Sequence, residues 1–340
     1  MRSIEGKILN QPLISVIMST YNDELYIEKS LESILHQTVT DFELIIFDDC
    51  SSDGTVAKIR EYEDARIHLI CNEENCGLTK NLNKGLRIAK GRYIARMDGD
   101  DISELTRFEK QVAFLEKHPE VYLISCHAQN FDESNLVNRI KGSSEELRCR
   151  MLIRPVFAHP GFMMRRELID EGFFYDESFR TAQDYEFAVR VAQDHSIGMV
   201  PEILLHYRVH KKQISNTACG NQTINADRVR QLQLQKLDVT LSEEEQKVYN
   251  DWVYERQPSG VDEFIAASKL LQQLVQANDK QGIYPDRVLE KTLKRLLYTW
   301  VIRSKRMKCI LGFPKICGYL PENMILFCEE AIRTMKEKVF

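Results

Sequence analysis

Residues 96–101 read Arg-Met-Asp-Gly-Asp-Asp and follow the apolar run Tyr93-Ile94-Ala95. Asp98, Asp100 and Asp101 therefore place three carboxylates within four positions at the end of a buried-strand pattern. Like charges this close raise one another's pKa unless something positive sits among them. The simplest compensation is a hard divalent cation, Mg²⁺ or Mn²⁺, to which oxygen ligands are suited. Mg²⁺ commonly takes one or two protein carboxylates and leaves its other positions to water and phosphate oxygens. The cluster points to a site that holds a metal and, through it, a phosphorylated substrate. Taken alone, the same residues also read as a solvated acidic turn, so the weight falls on what surrounds them.

The elements that must position this cluster alternate strand and helix. Leu13-Ile14-Ser15-Val16-Ile17-Met18 is a short apolar run, as in a parallel strand buried on both faces. Residues 23–36 follow with helical spacing, Ile27, Leu31, Ile34 and Leu35 on one face. The pattern then predicts a strand over 42–47, a helix over 55–64, a strand over 66–71 and a helix over 79–89 stopped by Gly91. A fourth strand over 93–97, a helix over 104–117 ended before Pro119, and a fifth strand over 121–126 complete the series. This order predicts an α/β fold, a mostly parallel sheet with helices on both faces. Ligands of such sheets lie outside the carboxyl ends of the strands. Ser19-Thr20-Tyr21, Asp48-Asp49 and residues 98–101 all fall at that edge.

A chain of 340 residues allows one large domain or two smaller ones. After about residue 216 strand signals fade and helical ones dominate, and 215–221 reads as a linker. One domain over 1–216 and a mainly helical region over 222–340 are expected. A formal net charge of −5 argues against a nucleic-acid partner. The nine cysteines show neither CxxC spacing nor a zinc-type His/Cys cluster, so reduced thiols in a cytoplasmic compartment are expected. The opening residues lack the apolar core of a secretory signal, and no apolar run reaches the roughly 18 residues that would span a bilayer.

Several longer motifs share an order and spacing. They are Ser15-Val16-Ile17-Met18-Ser19-Thr20-Tyr21-Asn22, then Phe47-Asp48-Asp49-Cys50-Ser51-Ser52-Asp53-Gly54-Thr55, with Cys50 where Gly or Ala is more usual. Asn75-Cys76-Gly77-Leu78, Asn83-Lys84-Gly85 and Ala89-Lys90-Gly91 lead to Met97 and the acidic cluster, followed by Arg107 and Gln111. Ala182-Gln183-Asp184-Tyr185-Glu186 and Tyr207-Arg208-Val209-His210 with Ser215 close the series. Together, over about residues 10–216, they resemble the family 2 inverting nucleotide-sugar glycosyltransferases of bacterial surface-polysaccharide type, which have the GT-A fold. Residues 220–340 carry no such resemblance.

The resemblance implies a metal-dependent, inverting transfer from a nucleotide-sugar donor, a UDP-hexose or UDP-N-acetylhexosamine, to a saccharide or lipid-linked acceptor. Thr20 and Tyr21 are then expected to line the base pocket, with the Tyr ring packed on the base. Asp49 is expected to accept a hydrogen bond from the base ring N–H. Asp98 is expected near the ribose and the metal, and Asp100 as a direct metal ligand. Asp101 is expected as a ligand, a sugar contact or a support of the loop. Lys80 and Asn83 either touch donor phosphate or ribose or belong to a solvated helix face. His210 is expected at the metal or diphosphate, with Arg208 on phosphate. Inverting transfer needs one general base for the acceptor hydroxyl. Asp184 takes that role, a helix N-cap being the other reading. His159 and Gln183, the latter where many relatives carry Glu, are expected on the acceptor side. Asp48 is expected only to order its turn.

Two other classes stay open. A nucleotidyltransferase can share such a sheet, but it opens with a Gly-rich basic phosphate loop after the first strand, and residues 19–24 are neither. A degenerate donor-binding or scaffold subunit would be favoured by loss of Asp49, Asp100 or Asp184, and all three are present. Residues 281–340 carry twelve Lys+Arg against six Asp+Glu. Within them 287–308 spaces Leu289, Leu293, Leu296, Leu297, Trp300 and Val301 helically among eight basic residues and one acid, Glu290. That segment reads either as a helix packed on the protein or a second subunit, or as a peripheral membrane contact.

Overall fold

A computed structural model describes residues 11–210, 213, 219–258 and 261–303. By its contacts the chain divides into two compact units, Met1–Met151 with Pro155–Arg230, and Leu152–Arg154 with Gln231–Phe340. The first unit opens with β1 (Ile14–Thr20), α1 (Ile27–Leu35), β2 (Phe42–Asp48), α2 (Thr55–Arg60), β3 (Ile67–Cys71), α3 (Leu78–Ile88) and β4 (Tyr93–Asp98). There follow β5 (Ile102–Ser103), α4 (Arg107–Lys117), β6 (Val121–Asp132), β7 (Val137–Asn138), α5 (Ser144–Arg150), β8 (Met163–Arg165), α6 (Glu167–Asp170), α7 (Gln183–Asp194) and β9 (Ser196–Val209). A short 3₁₀ turn at His159–Gly161 precedes β8.

The strands form one sheet in the order β3-β2-β1-β4-β8-β6-β9-β5, with β7 paired to β6. β3, β2, β1 and β4 are parallel, as is β6 with β9. β8 runs antiparallel to both β4 and β6, and β5 antiparallel to β9. The mostly parallel α/β reading holds. The apolar runs of β1, β2 and β4 serve two cores, because alternate side chains face opposite sides of the sheet. Ile17, Ile45, Phe47 and Ile94 join Leu82 and Leu86 of α3 and Phe187 and Val191 of α7 in one core. Val16, Leu44, Ile46 and Ala95 join Ile27, Leu31 and Ile34 of α1 and Phe108 and Leu115 of α4 in the other. β6 runs past the expected end at residue 126 to Asp132, where its outer residues lose their burial and with it the apolar signal.

Two devices aim the edge at which the acidic residues collect. The two-residue strand β5 pairs Ile102 with His206 and Ser103 with Leu205, which carries the end of β9 past the acidic loop. The buried side chain of Arg107 braces β4 from behind, donating from Nη2 to the Arg96 carbonyl at 2.7 Å. Gln111, one turn on, donates to the Gly161 carbonyl at 2.7 Å.

α8 (Cys219–Lys236) carries the chain into the second unit, which continues with α9 (Glu243–Val253), α10 (Val261–Gln281) and α11 (Asp286–Arg303). Ser242 and Glu245 form a capping box at the start of α9. In α11 the face carrying Leu289, Leu293, Leu297 and Trp300 is buried, and the Trp300 indole donates to the Arg256 carbonyl at 2.6 Å. An interfacial helix needs that face outward. The described part of the basic segment instead uses it for packing, and presents Arg287, Lys291 and Arg295 to solvent. Residues 304–308 of that segment lie outside the described residues. Among the described residues no helix is long and apolar enough to cross a membrane.

Candidate donor, metal and acceptor site

β4 ends at Asp98 and the chain turns at once into β5, so Asp98, Asp100 and Asp101 point ligand oxygens at one place, all within 4.8 Å of one another. The turn is possible because residue 99 is glycine. A Cβ there would lie 2.5 Å from Asp23 Oδ2 and 3.1 Å from Thr20 Oγ1. Asp98 pairs with the buried guanidinium of Arg96. Asp100 faces the His210 ring, Oδ2 to Nε2 at 2.9 Å, and its carbonyl accepts from Arg208 Nε at 2.7 Å. Asp101 is fully buried. Its Oδ1 accepts the Arg208 backbone N–H at 2.8 Å and its Oδ2 has no partner. Burial, then the charges of Asp100 and Asp98, push the Asp101 carboxyl well up. Burial raises Asp98 as well, against the opposing pull of Arg96.

A hard oxygen set with raised carboxyls and an orphaned buried oxygen fits Mg²⁺ or Mn²⁺. Asp98 and Asp100 retain partial exposure and could hold such an ion. Of the three roles open to Asp101, its burial and its bond to Arg208 match support of the loop. His210 reaches the cluster through Asp100 and packs on Tyr26, ring centroids 5.0 Å apart.

The ends of β1 and β2 build a second pocket of opposite character. Asp49 Oδ1 accepts from Asn72 Nδ2 at 2.9 Å and from the Cys76 backbone N–H at 2.8 Å. Its Oδ2 accepts from the Gly77 N–H at 2.8 Å. Burial alone would raise this carboxyl, but hydrogen bonds from Asn81, Cys76, Asn72 and Gly77 hold it below its ordinary value. Cys50 beside it has φ +65°, a left-handed conformation that glycine adopts without strain. Asp48 accepts from the Ser51 N–H at 3.0 Å and so orders this turn.

The Tyr21 ring is half exposed beside the pocket, open to stacking. Thr20 is buried, and its hydroxyl is committed to Asp23 at 2.7 Å rather than open to a ligand. Burial is the main force that pushes the Asp23 carboxyl up to about 7, with the charges of Asp100 and Asp98 adding to it.

Helical phase decides the residues of α3. Lys80 is exposed to solvent. Lys84, one turn later, reaches Asn72 Oδ1 at 3.0 Å and so stands in the network around Asp49. Asn83 lies on the inner face, and both ends of its amide are occupied. It accepts from the Tyr175 N–H and donates to the Tyr175 carbonyl, each at 2.9 Å. Asn83 thus clamps the 175–177 segment.

On the acceptor side, Ala182 adopts φ +55° and α7 begins immediately after it. Asp184 sits in the first turn and lines a narrow crevice with Pro155, Val156, Phe157, Phe162 and Ala188. Burial raises its carboxyl, opposed by the Tyr185 N–H and the Arg96 charge. Gln183 is buried beside it. His159 is buried too, its Nε2 at 2.8 Å from the Tyr175 hydroxyl. Burial and then Arg96 push that imidazole well below its ordinary value, so it is neutral.

Arg96, Asp23, Asn72 and Tyr175 were not singled out by the sequence reading. Arg96 alone carried a signal: a lone basic residue two positions before Asp98, on the same face of a strand otherwise apolar.

Residues 15–173 match the model of Glycosyl transferase family 2. An uncharacterized glycosyltransferase of Methanocaldococcus jannaschii is 34% identical over 210 residues, 59% of this chain and 72% of the relative. The Escherichia coli UDP-Glc:alpha-D-GlcNAc-diphosphoundecaprenol beta-1,3-glucosyltransferase WfgD is 29% identical, over 60% of this chain and 80% of its own. Among solved structures, S. aureus TarS 1-349 in complex with UDP superposes with a TM-score of 0.53 at 19% identity, covering 84% of this chain and 91% of that one. The mannosyltransferase PcManGT from Pyrobaculum calidifontis, in complex with GDP-Man and Mn2+, gives 0.52 at 18% identity, covering 95% and 81%. These two share the fold. With its acidic loop, its donor-edge motifs and a third of its residues in common over most of the archaeal relative, the chain belongs to glycosyl transferase family 2 and is a glycosyltransferase.

Proposed function

We propose that the protein moves a hexose or N-acetylhexosamine from a UDP-sugar, with a divalent metal and with inversion, onto a saccharide or lipid-linked acceptor in surface polysaccharide or glycolipid assembly. The observation that carries this reading is the common edge at which Asp49, Asp98 and Asp100 meet the ends of β2 and β4. Choice of UDP is supported by the name of the E. coli relative, a UDP-Glc enzyme. The two structural neighbours carry UDP and GDP-Man, so likeness of fold does not select the base. Donor and acceptor chemistry are assigned to residues 1–216, at the cytoplasmic side.

Asp49, kept ionised by hydrogen bonds from Asn72, Cys76 and Gly77, presents an acceptor to the base, and the Tyr21 ring offers an apolar face to it. Asp98 and Asp100 would hold the metal, with His210 orienting Asp100. When bound, the metal neutralises charge that develops on the leaving diphosphate. Asp184 accepts the proton of the acceptor hydroxyl as that oxygen bonds to the anomeric carbon and the diphosphate departs with the electron pair of the broken bond. One displacement inverts the anomeric centre and requires no covalent enzyme intermediate.

Calorimetric titration with UDP, GDP, CDP and dTDP, with and without Mn²⁺, tests the reading. UDP-selective, metal-dependent binding is expected. Preference for another base would discard the donor class, and no binding at all would favour a degenerate or scaffold subunit.

A further inference from the structure

Arg208 is a buried cation beside the acidic loop. It is 6% exposed and stands near the end of β9, paired with Phe131 of β6. It grips the loop twice. Its backbone N–H donates to Asp101 Oδ1 at 2.8 Å, and its Nε donates to the Asp100 carbonyl at 2.7 Å. Together these bonds hold the peptide that joins Asp100 to Asp101. Nη1 pairs with Asp132 at the end of β6. The guanidinium lies over two rings, 4.5 Å from the Tyr26 centroid and 4.4 Å from that of Phe131. Tyr26 in turn packs on His210, and His210 faces Asp100 Oδ2 at 2.9 Å. The contacts run in a closed circuit, from Arg208 through Asp100, His210 and Tyr26 back to Arg208.

Resting on the reading of this loop as a metal site, we propose that Arg208 is a positioning residue for the metal: it sets the direction of the Asp100 carboxylate by holding the loop's backbone and, through Tyr26, the His210 ring. By charge alone a guanidinium beside a divalent-ion site weakens the ion's binding. The contacts show how that penalty is limited. Nε is spent on a neutral carbonyl, and the charge is answered away from the cluster by Asp132 and by the two ring faces. A planar guanidinium holds the carbonyl and Asp132 at once from separate nitrogens, which the single ammonium of lysine cannot do. A direct contact with the donor's diphosphate is the competing role for Arg208, and the test separates the two.

The test reads the coupling between metal and nucleotide. UDP is titrated calorimetrically into the intact protein with and without Mn²⁺, and the ratio of the two affinities is the factor by which the ion tightens UDP. In Arg208→Met that factor should fall about tenfold, while metal-free UDP affinity changes less than about twofold. Loss of the charge alone would raise the factor, so the sign of the change tells positioning from electrostatics. Arg208→Lys keeps the charge and loses the fork, and should recover less than half of the loss. Asp132→Gly should lower the factor about threefold, because it releases Nη1. Residue 132 has φ +69°, which glycine adopts without strain, so the fold is kept. An unchanged or raised factor in a folded Arg208→Met protein overturns the proposal. So does an equal loss of metal-free UDP affinity, which would put Arg208 on the donor. If Arg208→Met does not fold, Arg208→Lys and Asp132→Gly decide by the same two readings. A wild-type protein whose UDP affinity ignores Mn²⁺ removes the metal reading and this proposal with it, whereas a metal-dependent wild type with unaltered variants removes this proposal alone.

Discussion

Two carboxylate pockets lie side by side on one sheet edge, and their electrostatics run in opposite directions. At the end of β4, Asp98 and Asp101 are buried among like charge and their carboxyls are raised. At the end of β2, Asp49 is ringed by amide and backbone donors and its carboxyl is lowered. The same residue type is thus left short of positive charge in one pocket and fully provided for in the other. A bound divalent cation, as proposed above, would offset the raised carboxyls of the first pocket. In the second, Asn72, Cys76 and Gly77 fill three of the carboxylate's roughly four acceptor positions, which leaves one more hydrogen bond of the kind a base N–H gives.

The largest effect expected separates both pockets from the chemistry. Asp184→Asn removes the proton acceptor and leaves donor binding intact, so turnover should fall about 10³-fold with UDP affinity in Mn²⁺ changed less than about twofold. Equal losses in both would show that Asp184 serves the donor instead. Next, Asp100→Ala and Asp49→Ala should split by metal. Asp100→Ala should weaken UDP binding about a hundredfold in Mn²⁺ and hardly at all without it, whereas Asp49→Ala should weaken it about tenfold in either condition. Calorimetry with and without the ion measures both, and a metal-dependent Asp49 effect would erase the contrast.

Much of the first pocket was legible in the sequence, because a strand pattern ending in clustered acids fixes both where the charges sit and what they lack. Asp49 was legible in place but less so in detail. Its donors Asn72, Cys76 and Gly77 come from the stretch after β3, and no local rule says that a loop will fold its amides onto a carboxylate more than twenty residues earlier. Thr20 was placed correctly at its strand end, while its hydroxyl turned to Asp23, a choice made by packing against Gly99. The two readings of 287–308 stayed open in the sequence for a similar reason. Periodicity shows that a helix has an apolar face, and only tertiary structure shows whether that face is already covered.

A pH experiment sharpens the comparison further. Asp23, next to the acidic loop, has its carboxyl pushed up to about 7 when folded, against about 3.9 in an unfolded chain. Its acid form therefore favours the fold: that contribution is full below the unfolded value and is lost as pH rises through about 7. Asp49 behaves in reverse, contributing above its unfolded value and losing that contribution as pH falls through its lowered folded one. The metal-free protein should melt lower at about pH 8 than at about pH 5, and Asp23→Asn should raise the melting temperature at the higher pH more than at the lower. Thermal melts at the two pH values decide it. An Asp23→Asn protein with an unaltered pH profile would mean that Asp23 is ionised throughout.

The smallest effect divides two residues of one helix that the sequence could not separate. Lys80 and Asn83 were both candidates for the donor, yet α3 turns Lys80 to solvent and Asn83 inward. Asn83→Ala deletes an amide whose two ends bind the Tyr175 backbone, and leaves that N–H and carbonyl buried and unpaired. A loss of about 1–3 kcal/mol in folding stability follows from the desolvation of such groups. Because Tyr175 stacks on Phe187 of α7, the helix that carries Asp184, turnover should fall several-fold while UDP affinity holds, since the Asp49 pocket hangs on Asn72, Cys76 and Gly77 and not on Asn83. Lys80→Ala, on the exposed face, should move stability by less than about 0.5 kcal/mol and change UDP affinity little. Denaturant unfolding and calorimetry on the pair distinguish the two. A large loss of UDP affinity in Lys80→Ala would mean that the lysine swings onto the diphosphate when donor binds, and the donor pocket would then extend beyond the residues that the sheet edge itself provides.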